Sequence, residues 1–269
     1  MRTSARLIAS LTLSCLGLCL AGCSSAPAPD KSAATAAAPS AANRDVLRVG
    51  VSPKFPPMIF KQQGELNGVE VELARAVGPK LGRQVVFVEV PWEEQIEALN
   101  AGKTDIIMSS MSITAARNSI VSFTQPYFIV GQVALVRRED SQQYALGFPL
   151  LPRGTIGVLK DTTGDFLAQR DFPRTNRKTY RTGDQAAQAL ARKKIDLFIS
   201  DSTLIFYLAG TYANEGLTVV PIMLSEEQLA WVVRRGDDAL LASVNDFINQ
   251  SKQDGLLLKV FRRWTAVGN

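Results

Sequence analysis

The residues best suited to chemistry lie in one stretch, Thr104–Tyr127. A short apolar run there gives way to hydroxyl side chains, among them Ser110 and Ser112, and then to one arginine, Arg117. A guanidinium presents two parallel donors that match a carboxylate. Hydroxyls and a cation between a buried strand and a helix are typical of the carboxyl end of an α/β sheet. We therefore predict that this stretch binds a small ligand that carries a carboxylate.

The composition restricts the other chemistry that is possible. The 269-residue chain has no histidine, and its three cysteines all lie within the first 23 residues. Ser–His and Cys–His nucleophile pairs and imidazole metal ligands are therefore excluded, and we expect no cofactor and no metal. The net charge of +5 is mild and does not indicate nucleic-acid binding. The composition favours a binding protein over an enzyme.

The first 22 residues have the pattern of a secretion signal. Arg2 and Arg6 precede the apolar run Leu7–Leu20, which is too short to span a membrane comfortably. Ala21-Gly22-Cys23 follows and resembles the lipobox of bacterial lipoproteins. The resemblance implies cleavage before Cys23 and lipidation of its sulfur. The alternative is ordinary secretion with an incidental cysteine.

The rest of the chain divides into a tether and two lobes. Residues 23–44 are dominated by Ala, Pro and Ser, cannot bury a core and predict a flexible tether. Strands and helices then alternate, which predicts an α/β fold with mainly parallel sheets covered by helices. We assign residues 45–130 plus 230–269 to lobe 1 and residues 131–229 to lobe 2. Two hinge strands join the lobes.

Ordered motifs throughout the mature chain resemble the amino-acid-type extracellular solute-binding proteins of ABC importers. The motifs are Phe55-Pro56-Pro57-Met58, Gly68-Val69-Glu70-Val71-Glu72-Leu73-Ala74, Trp92 through Gly102-Lys103-x-Asp105, Met111-Ser112-Ile113-Thr114-x-x-Arg117 with Pro126-Tyr127, and Lys160-x-Thr162-Thr163-Gly164. The resemblance implies a two-lobed periplasmic-binding-protein fold of type II. It also implies a monomeric, extracytoplasmic, lipid-anchored protein that captures an amino acid or similar zwitterion by lobe closure and delivers it to an ABC permease.

The resemblance assigns roles to the polar residues. Arg117 and Ser112 bind the ligand carboxylate, and the Ser110 carbonyl accepts from its ammonium, although such serines are commonly turn residues. Asp201, at the end of an apolar strand, pairs with the ammonium or caps the next helix. A zwitterion held from both lobes would favour the closed form.

Residues before a predicted helix in lobe 2 complete the polar site. Thr162 and Thr163 would offer free N–H groups at the positive end of the helix dipole, and Gly164 would allow close approach. Plain N-capping by a threonine is the alternative, and both can hold, since the side chain and the amide are separate groups.

Two aromatic residues and a lysine complete the predicted binding residues. By the resemblance, Phe55 and Trp92 sandwich the ligand side chain, while core packing is the alternative for each. Lys160 falls where some glutamine-type binders have a lysine, and its alternative is a solvated surface position. Ser52 replaces the aspartate of members that bind cationic amino acids. A neutral polar or acidic ligand side chain is slightly favoured.

Two other functions remain open from the sequence. Cyclohexadienyl (arogenate or prephenate) dehydratases have this fold and carry an acidic residue shortly after the aspartate equivalent to Asp201. The corresponding stretch here, Ser202–Phe206, has neither carboxylate nor histidine. The other alternative is a sensory binding protein that feeds a receptor instead of a transporter.

Overall fold

The computed structural model describes residues 45–144 and 154–265. The predicted signal peptide (1–22), the lipidation site Cys23 and the tether (23–44) lie outside these ranges. Within the described residues the chain forms two five-stranded sheets, a three-stranded sheet and a two-stranded sheet.

The first part of the chain, up to residue 123, alternates short strands with helices. Its elements are β1 (Val46–Val51), β2 (Lys54–Phe55), β3 (Ile59–Gln62), β4 (Glu65–Asn67), α1 (Val69–Lys80), β5 (Gln84–Glu89), a 3₁₀ turn (Trp92–Glu94), α2 (Gln95–Asn100), β6 (Ile106–Ile107), α3 (Ala115–Asn118) and β7 (Ser122–Phe123).

The remainder continues the alternation and ends in two helices. Its elements are β8 (Phe128–Val130), β9 (Gln132–Arg137), a 3₁₀ segment (Arg138–Tyr144), β10 (Thr155–Leu159), α4 (Thr163–Asp171), β11 (Asn176–Tyr180), α5 (Gly183–Ala191), β12 (Leu197–Asp201), α6 (Ser202–Thr211), β13 (Leu217–Val220), β14 (Glu227–Leu229), β15 (Val232–Val233), α7 (Asp238–Gln253) and α8 (Leu256–Thr265).

The first large sheet has the order β5-β1-β6-β15-β7. β1 is parallel to both β5 and β6, whereas β15 is antiparallel to β6 and β7. Leu47, Val49 and Val51 alternate along β1 and are completely buried, as expected of a strand packed in a core. Because the late strand β15 pairs with β6, the chain returns to its first sheet near its carboxyl end.

The segment that leads to the predicted carboxylate site is attached firmly to β1. The Arg48 guanidinium donates to both carboxylate oxygens of Asp105 and to the carbonyl of Gly102, at 2.5–3.0 Å. The Arg48 backbone N–H also donates to Asp105 Oδ2 at 2.9 Å. Bidentate Arg–carboxylate pairs are geometrically specific. This pair therefore fixes the start of β6 beside β1.

The second large sheet has the order β11-β10-β12-β9-β13. β10 is parallel to β11 and β12, and β9 lies antiparallel between β12 and β13. Val136, Val158 and Ile199 of this sheet belong to a separate apolar core, whereas Leu135 and Phe198 from the same strands belong to the large core that also includes the first sheet. The mixed strand directions differ from an all-parallel sheet but preserve the α/β character.

Two strands connect the sheets. β8 leads from the first sheet to the second, β14 leads back, and they pair with each other antiparallel. A Cβ at Gly131, the residue after β8, would collide with the carbonyl of Ser225 and the side chain of Met223. Glycine therefore allows the two crossings to approach closely. The lobe boundaries given above remain a prediction.

The terminal helices pack against α1 and against each other. Leu240, Val244, Phe247 and Ile248 form a buried stripe along α7, at the spacing of one helix face. Among the described residues, no helix is long and apolar enough to cross a membrane.

Candidate ligand-binding site

Eight of the ten predicted binding residues line one small cavity. They are Phe55, Trp92, Ser110, Ser112 and Arg117 from the chain before β8, and Thr162, Thr163 and Asp201 from the chain after it. Gly164 and Lys160 do not line this cavity. The cavity lies between the parts of the chain that carry the two large sheets. The structure thus assembles most of the predicted set, while contact with a ligand stays a prediction.

Arg117 lies in α3, which begins after Thr114. The Thr114 hydroxyl accepts from the Arg117 backbone N–H at 3.2 Å and caps the short helix. The guanidinium donates to the Ser112 carbonyl at 3.0 Å and lies 5.2 Å from the centre of the Trp92 ring. Burial lowers the pKa of Arg117, and the charges of Asp201 and Glu227 oppose that shift. Within the described residues the guanidinium makes only this hydrogen bond, so its other N–H groups are available to a carboxylate.

Ser110 has a backbone conformation that is uncommon for a residue with a side chain. Its φ is +55°, in the left-handed region. Its backbone N–H donates to Glu70 Oε2 at 2.6 Å. Its hydroxyl is buried and has no hydrogen-bond partner in the described parts of the chain. An unpaired buried hydroxyl at the cavity wall is a group that a ligand can satisfy.

Glu70 supports this conformation from the first turn of α1, and the sequence analysis assigned it no role. Its side chain is completely buried, and Glu70 Oε1 accepts from the Tyr127 hydroxyl at 2.7 Å. Burial raises the pKa of Glu70 to about 7, although the bonds from Tyr127 and Ser110 favour the carboxylate. One sequence signal was available: Glu70 lies four residues before the apolar Ala74, on the buried face of the helix.

The threonines of the second half of the site already have partners. The Thr162 hydroxyl donates to the Leu159 carbonyl at 2.8 Å and accepts from the Asp165 N–H at 3.4 Å. The capping alternative is therefore what the structure shows for the Thr162 side chain. The Thr163 hydroxyl accepts from Gln132 Nε2 at 3.2 Å. Thr163 is the first residue of α4, so its backbone N–H points along the positive end of the helix dipole.

Gln132 is a second residue that the sequence analysis missed. It is completely buried at the start of β9, and its Nε2 donates to Asp201 Oδ1 at 2.6 Å. Its backbone N–H donates to the Ser225 hydroxyl, which in turn donates to Glu227 Oε1 at 2.9 Å. A chain of hydrogen bonds thus connects the strand β14 with the anionic end of the cavity. The one sequence signal for Gln132 was its position as a polar residue immediately after Gly131, between the two predicted lobes.

Asp201 ends β12 and precedes α6. Its side chain makes no capping hydrogen bond to α6, so the structure does not favour that alternative. Burial raises the pKa of Asp201 to about 7, the negative charge of Glu227 adds to the shift, and Gln132 and Arg117 oppose it. A buried carboxyl next to a second carboxylate is well prepared to bind a cation.

Gly164 and Lys160 lie beside the cavity and not in its wall. A Cβ at Gly164 would meet Gln132 Oε1 at 2.6 Å, so glycine here makes room for the glutamine that binds Asp201. The Lys160 side chain is 67% exposed, and its Nζ is 3.8 Å from Asp161 Oδ2. Lys160 instead lines a larger adjoining pocket.

The aromatic pair differs from a simple sandwich. The rings of Phe55 and Trp92 contact each other edge to face, with centroids 5.2 Å apart and an interplanar angle of 66°. A ligand can enter between them only if one ring moves. Trp92 Nε1 also donates to the Asp161 carbonyl at 3.0 Å, which is a direct hydrogen bond across the cleft.

The described residues contain no cluster of His, Cys, Asp or Glu that could hold a metal ion. The guanidinium of Arg117 and the buried carboxyl of Asp201 line the same cavity, together with serine and threonine residues. The charge of Asp201 acts on the guanidinium of Arg117.

Comparison with known proteins supports this architecture. Residues 47–267 match the family described as bacterial extracellular solute-binding proteins, family 3. The chain is 28% identical over 258 residues to the "Probable histidine-binding protein" of Neisseria gonorrhoeae, covering 94% of this chain and 93% of that one.

Two solved structures are also similar. The ancestral amino acid-binding protein AncCDT-1, described as a precursor of cyclohexadienyl dehydratase, has 32% identity and a TM-score of 0.75, covering 83% of this chain and 96% of that one. A putative ABC transporter binding component from Wolinella succinogenes, complexed with lysine, has 30% identity and a TM-score of 0.77, covering 82% and 96%. These similarities confirm the predicted fold class, an α/β protein of two lobes.

Replacement of Glu70 tests how the cavity wall is supported. Glu70→Ala leaves the Ser110 N–H and the Tyr127 hydroxyl unpaired in the core, so we expect a loss of about 2–4 kcal/mol in unfolding free energy. Glu70→Gln keeps an acceptor for Ser110 and should lose less. Denaturant unfolding measures both, and an alanine variant as stable as the wild type would contradict the assignment.

The same variants give a pH signature. The folded-state pKa of Glu70, about 7, lies above the ordinary 4.5. Its contribution to stability is therefore fully present below about pH 4.5 and is lost as the pH rises to about 7, by about 3 kcal/mol. The pKa of Asp201 is also raised to about 7, so its contribution to stability likewise falls as the pH rises. The difference between wild type and Glu70→Gln isolates the contribution of Glu70.

Proposed function

Because the chain belongs to the bacterial extracellular solute-binding proteins of family 3, we propose that it captures an α-amino acid or a similar small zwitterion between its lobes. One observation carries this proposal. Arg117 and Asp201, from opposite sides of the cleft, line the same cavity together with the hydroxyl residues. The cation and the carboxyl match the two charged groups of an amino acid in sign. The cavity has a volume of about 10 Å³, which is room for about one water molecule, so the cleft must open wider to admit the ligand.

In this proposal the ligand carboxylate binds the free N–H groups of Arg117 and the hydroxyl or amide of Ser112. The ligand ammonium binds Asp201 and the Ser110 carbonyl. Each charge-assisted hydrogen bond contributes roughly 1.5–3 kcal/mol. Because the two groups of residues lie on different lobes, both sets of bonds form only when the lobes are together. The ligand therefore favours the closed form.

Closure has a contribution from the protein itself. The bond from Trp92 Nε1 to the Asp161 carbonyl joins the two sides of the cleft. A net gain of about 1 kcal/mol is typical of such a bond. The bond adds to closure once the ligand has balanced the buried charges.

We further propose that the protein works outside the cytoplasm as a monomer that delivers its ligand to an ABC permease. The family membership supports an extracytoplasmic solute-binding role. The apolar run that ends in Ala21-Gly22-Cys23 supports a lipid anchor on Cys23. A sensory role is compatible with the same site and differs only in the membrane partner.

A catalytic role is less well supported. The similar ancestral structure is itself an amino acid-binding protein, described as a precursor of the dehydratase. The stretch Ser202–Phe206, which follows Asp201, has no carboxylate. We therefore propose binding without turnover.

Arg117→Ala tests the carboxylate site. Removal of the guanidinium should weaken amino acid binding by at least about 2 kcal/mol, or about thirtyfold, with little change in the melting temperature of the unligated protein. Titration calorimetry measures the affinity. Arg75→Ala is the control, because Arg75 also lies over an aromatic ring, Phe87 at 5.9 Å, but away from the cavity. Near wild-type affinity in Arg117→Ala would remove the proposal.

The pH dependence of binding tests the role of Asp201. A ligand ammonium favours the Asp201 carboxylate, so affinity should be highest above about pH 7 and fall by up to about tenfold per unit below it. Asp201→Asn should bind weakly with no such slope, and Glu70→Gln should retain the slope. Equal wild-type affinity at pH 5 and pH 8 would contradict the pairing.

Cys23→Ser tests the anchor. Without the thiol no lipid can be attached, so the variant should move from the membrane fraction to the soluble fraction after cell disruption. Membrane association that persists in the variant would refute lipidation at Cys23.

A further inference from the structure

A second pocket adjoins the small cavity. The two share Phe55, Trp92 and Thr162 in their walls. We call the second one the outer pocket. It is the larger of the two, with a volume of about 360 Å³ against about 10 Å³. A ligand whose charged head is held by the inner residues, in a cleft opened far enough to admit it, would extend its side chain into this space.

Positive charges predominate in the outer pocket, whereas negative charges predominate around the inner cavity. Lys54, Lys160 and Arg181 line the outer pocket together with a single carboxylate, Glu93. In the inner cavity one guanidinium, Arg117, is opposed by Asp201 and by nearby Glu227. The inner site therefore favours a ligand ammonium, whereas the outer pocket favours a negative charge.

The walls between these charged groups are apolar and suit a hydrocarbon stem. Phe55 and Trp92 come from one side of the cleft, and Leu159 and Tyr180 come from the other. Aromatic and aliphatic walls with a few charged groups at the end are the usual composition of a selective small-molecule pocket.

We propose that the outer pocket receives the ligand side chain and that this side chain ends in a carboxylate or another anion. This inference rests on the proposed amino acid-binding function and specifies the class of amino acid. The preferred ligand is an acidic amino acid with an unbranched stem, not a neutral or a basic one.

The three cations of the outer pocket lie on both sides of the cleft, so their mutual repulsion affects closure. Lys54 follows β1 in the first part of the chain, while Lys160 and Arg181 follow β10 and β11 in the second. Closure brings like charges toward one another, which is unfavourable. An anion between them changes that repulsion into attraction, whereas a cationic side chain would add to it.

Two carboxylates reduce the size of this effect. Asp161 lies 3.8 Å from Lys160, and Glu93 is part of the same rim. Lys160, Arg181 and Glu93 are exposed and Lys54 is half-buried. An exposed charge pair contributes about 0.2–1 kcal/mol. We therefore expect a preference of about fivefold for an anionic over a neutral side chain of the same length.

The experiment compares three ligands by titration calorimetry on the mature protein. L-2-Aminoadipate, L-norleucine and L-lysine have unbranched stems of similar length and end in an anion, a methyl group and a cation. Aminoadipate should bind about fivefold more tightly than norleucine, and lysine should bind most weakly. Added salt should reduce the spread, because exposed charges are screened.

A combined variant identifies the residues responsible. Lys54→Gln, Lys160→Gln and Arg181→Gln together should bring the ratio of aminoadipate to norleucine affinity close to one. The matched control replaces three exposed lysines away from the pocket with glutamine, Lys80, Lys103 and Lys194. It makes the same change in net charge and should keep the ratio.

The outcomes separate this inference from the proposed function. Tighter binding of norleucine or lysine, lost in Arg117→Ala, would leave the function intact and overturn the anionic preference. An unchanged ratio in the combined variant would also overturn it. Failure of all three ligands and of the twenty common amino acids to bind would overturn both proposals.

Discussion

The binding cleft depends on one buried carboxyl group. Glu70 accepts hydrogen bonds from the Ser110 backbone and the Tyr127 hydroxyl, and so connects α1 with the segment before α3 and with the approach to β8. The left-handed conformation of Ser110 costs about 1–3 kcal/mol. The hydrogen bond from the Ser110 backbone N–H to Glu70 helps to offset that cost. Burial disfavours the charged form of Glu70 and raises its pKa to about 7, while the hydrogen bonds from Tyr127 and Ser110 favour the carboxylate.

Gln132 has the corresponding role on the other side of the cleft. It holds Asp201 and Thr163 through its amide and contacts the second hinge crossing through its backbone. Hydrogen bonds thus connect the residues within each half of the site, and the bond from Trp92 to Asp161 joins the two halves. Under the proposed mechanism a ligand drives closure only through bonds that it makes in the closed form and not in the open one.

Much of the fold and the site could be predicted, for identifiable reasons. Alternating strands and helices indicated the α/β class, and ordered motifs assigned Arg117, Ser112 and Asp201 to one site. Glu70 and Gln132 were missed because each functions through a partner far along the chain. Phe55 and Trp92 were predicted to sandwich the ligand side chain, and that stays a prediction. The structure adds that the two rings contact each other. No local pattern specifies the distance between two rings on separate elements.

The sequence by itself determined which chemistry is available: no histidine, a guanidinium after a strand, and an aspartate after another strand. Residue types and local spacing carry that information. Only the tertiary structure decided that Gly164 makes room for Gln132 and that the Thr162 hydroxyl caps a helix. It also decided that three cations meet at the outer pocket. These facts depend on which elements pack side by side, and packing joins residues that have no relation along the chain.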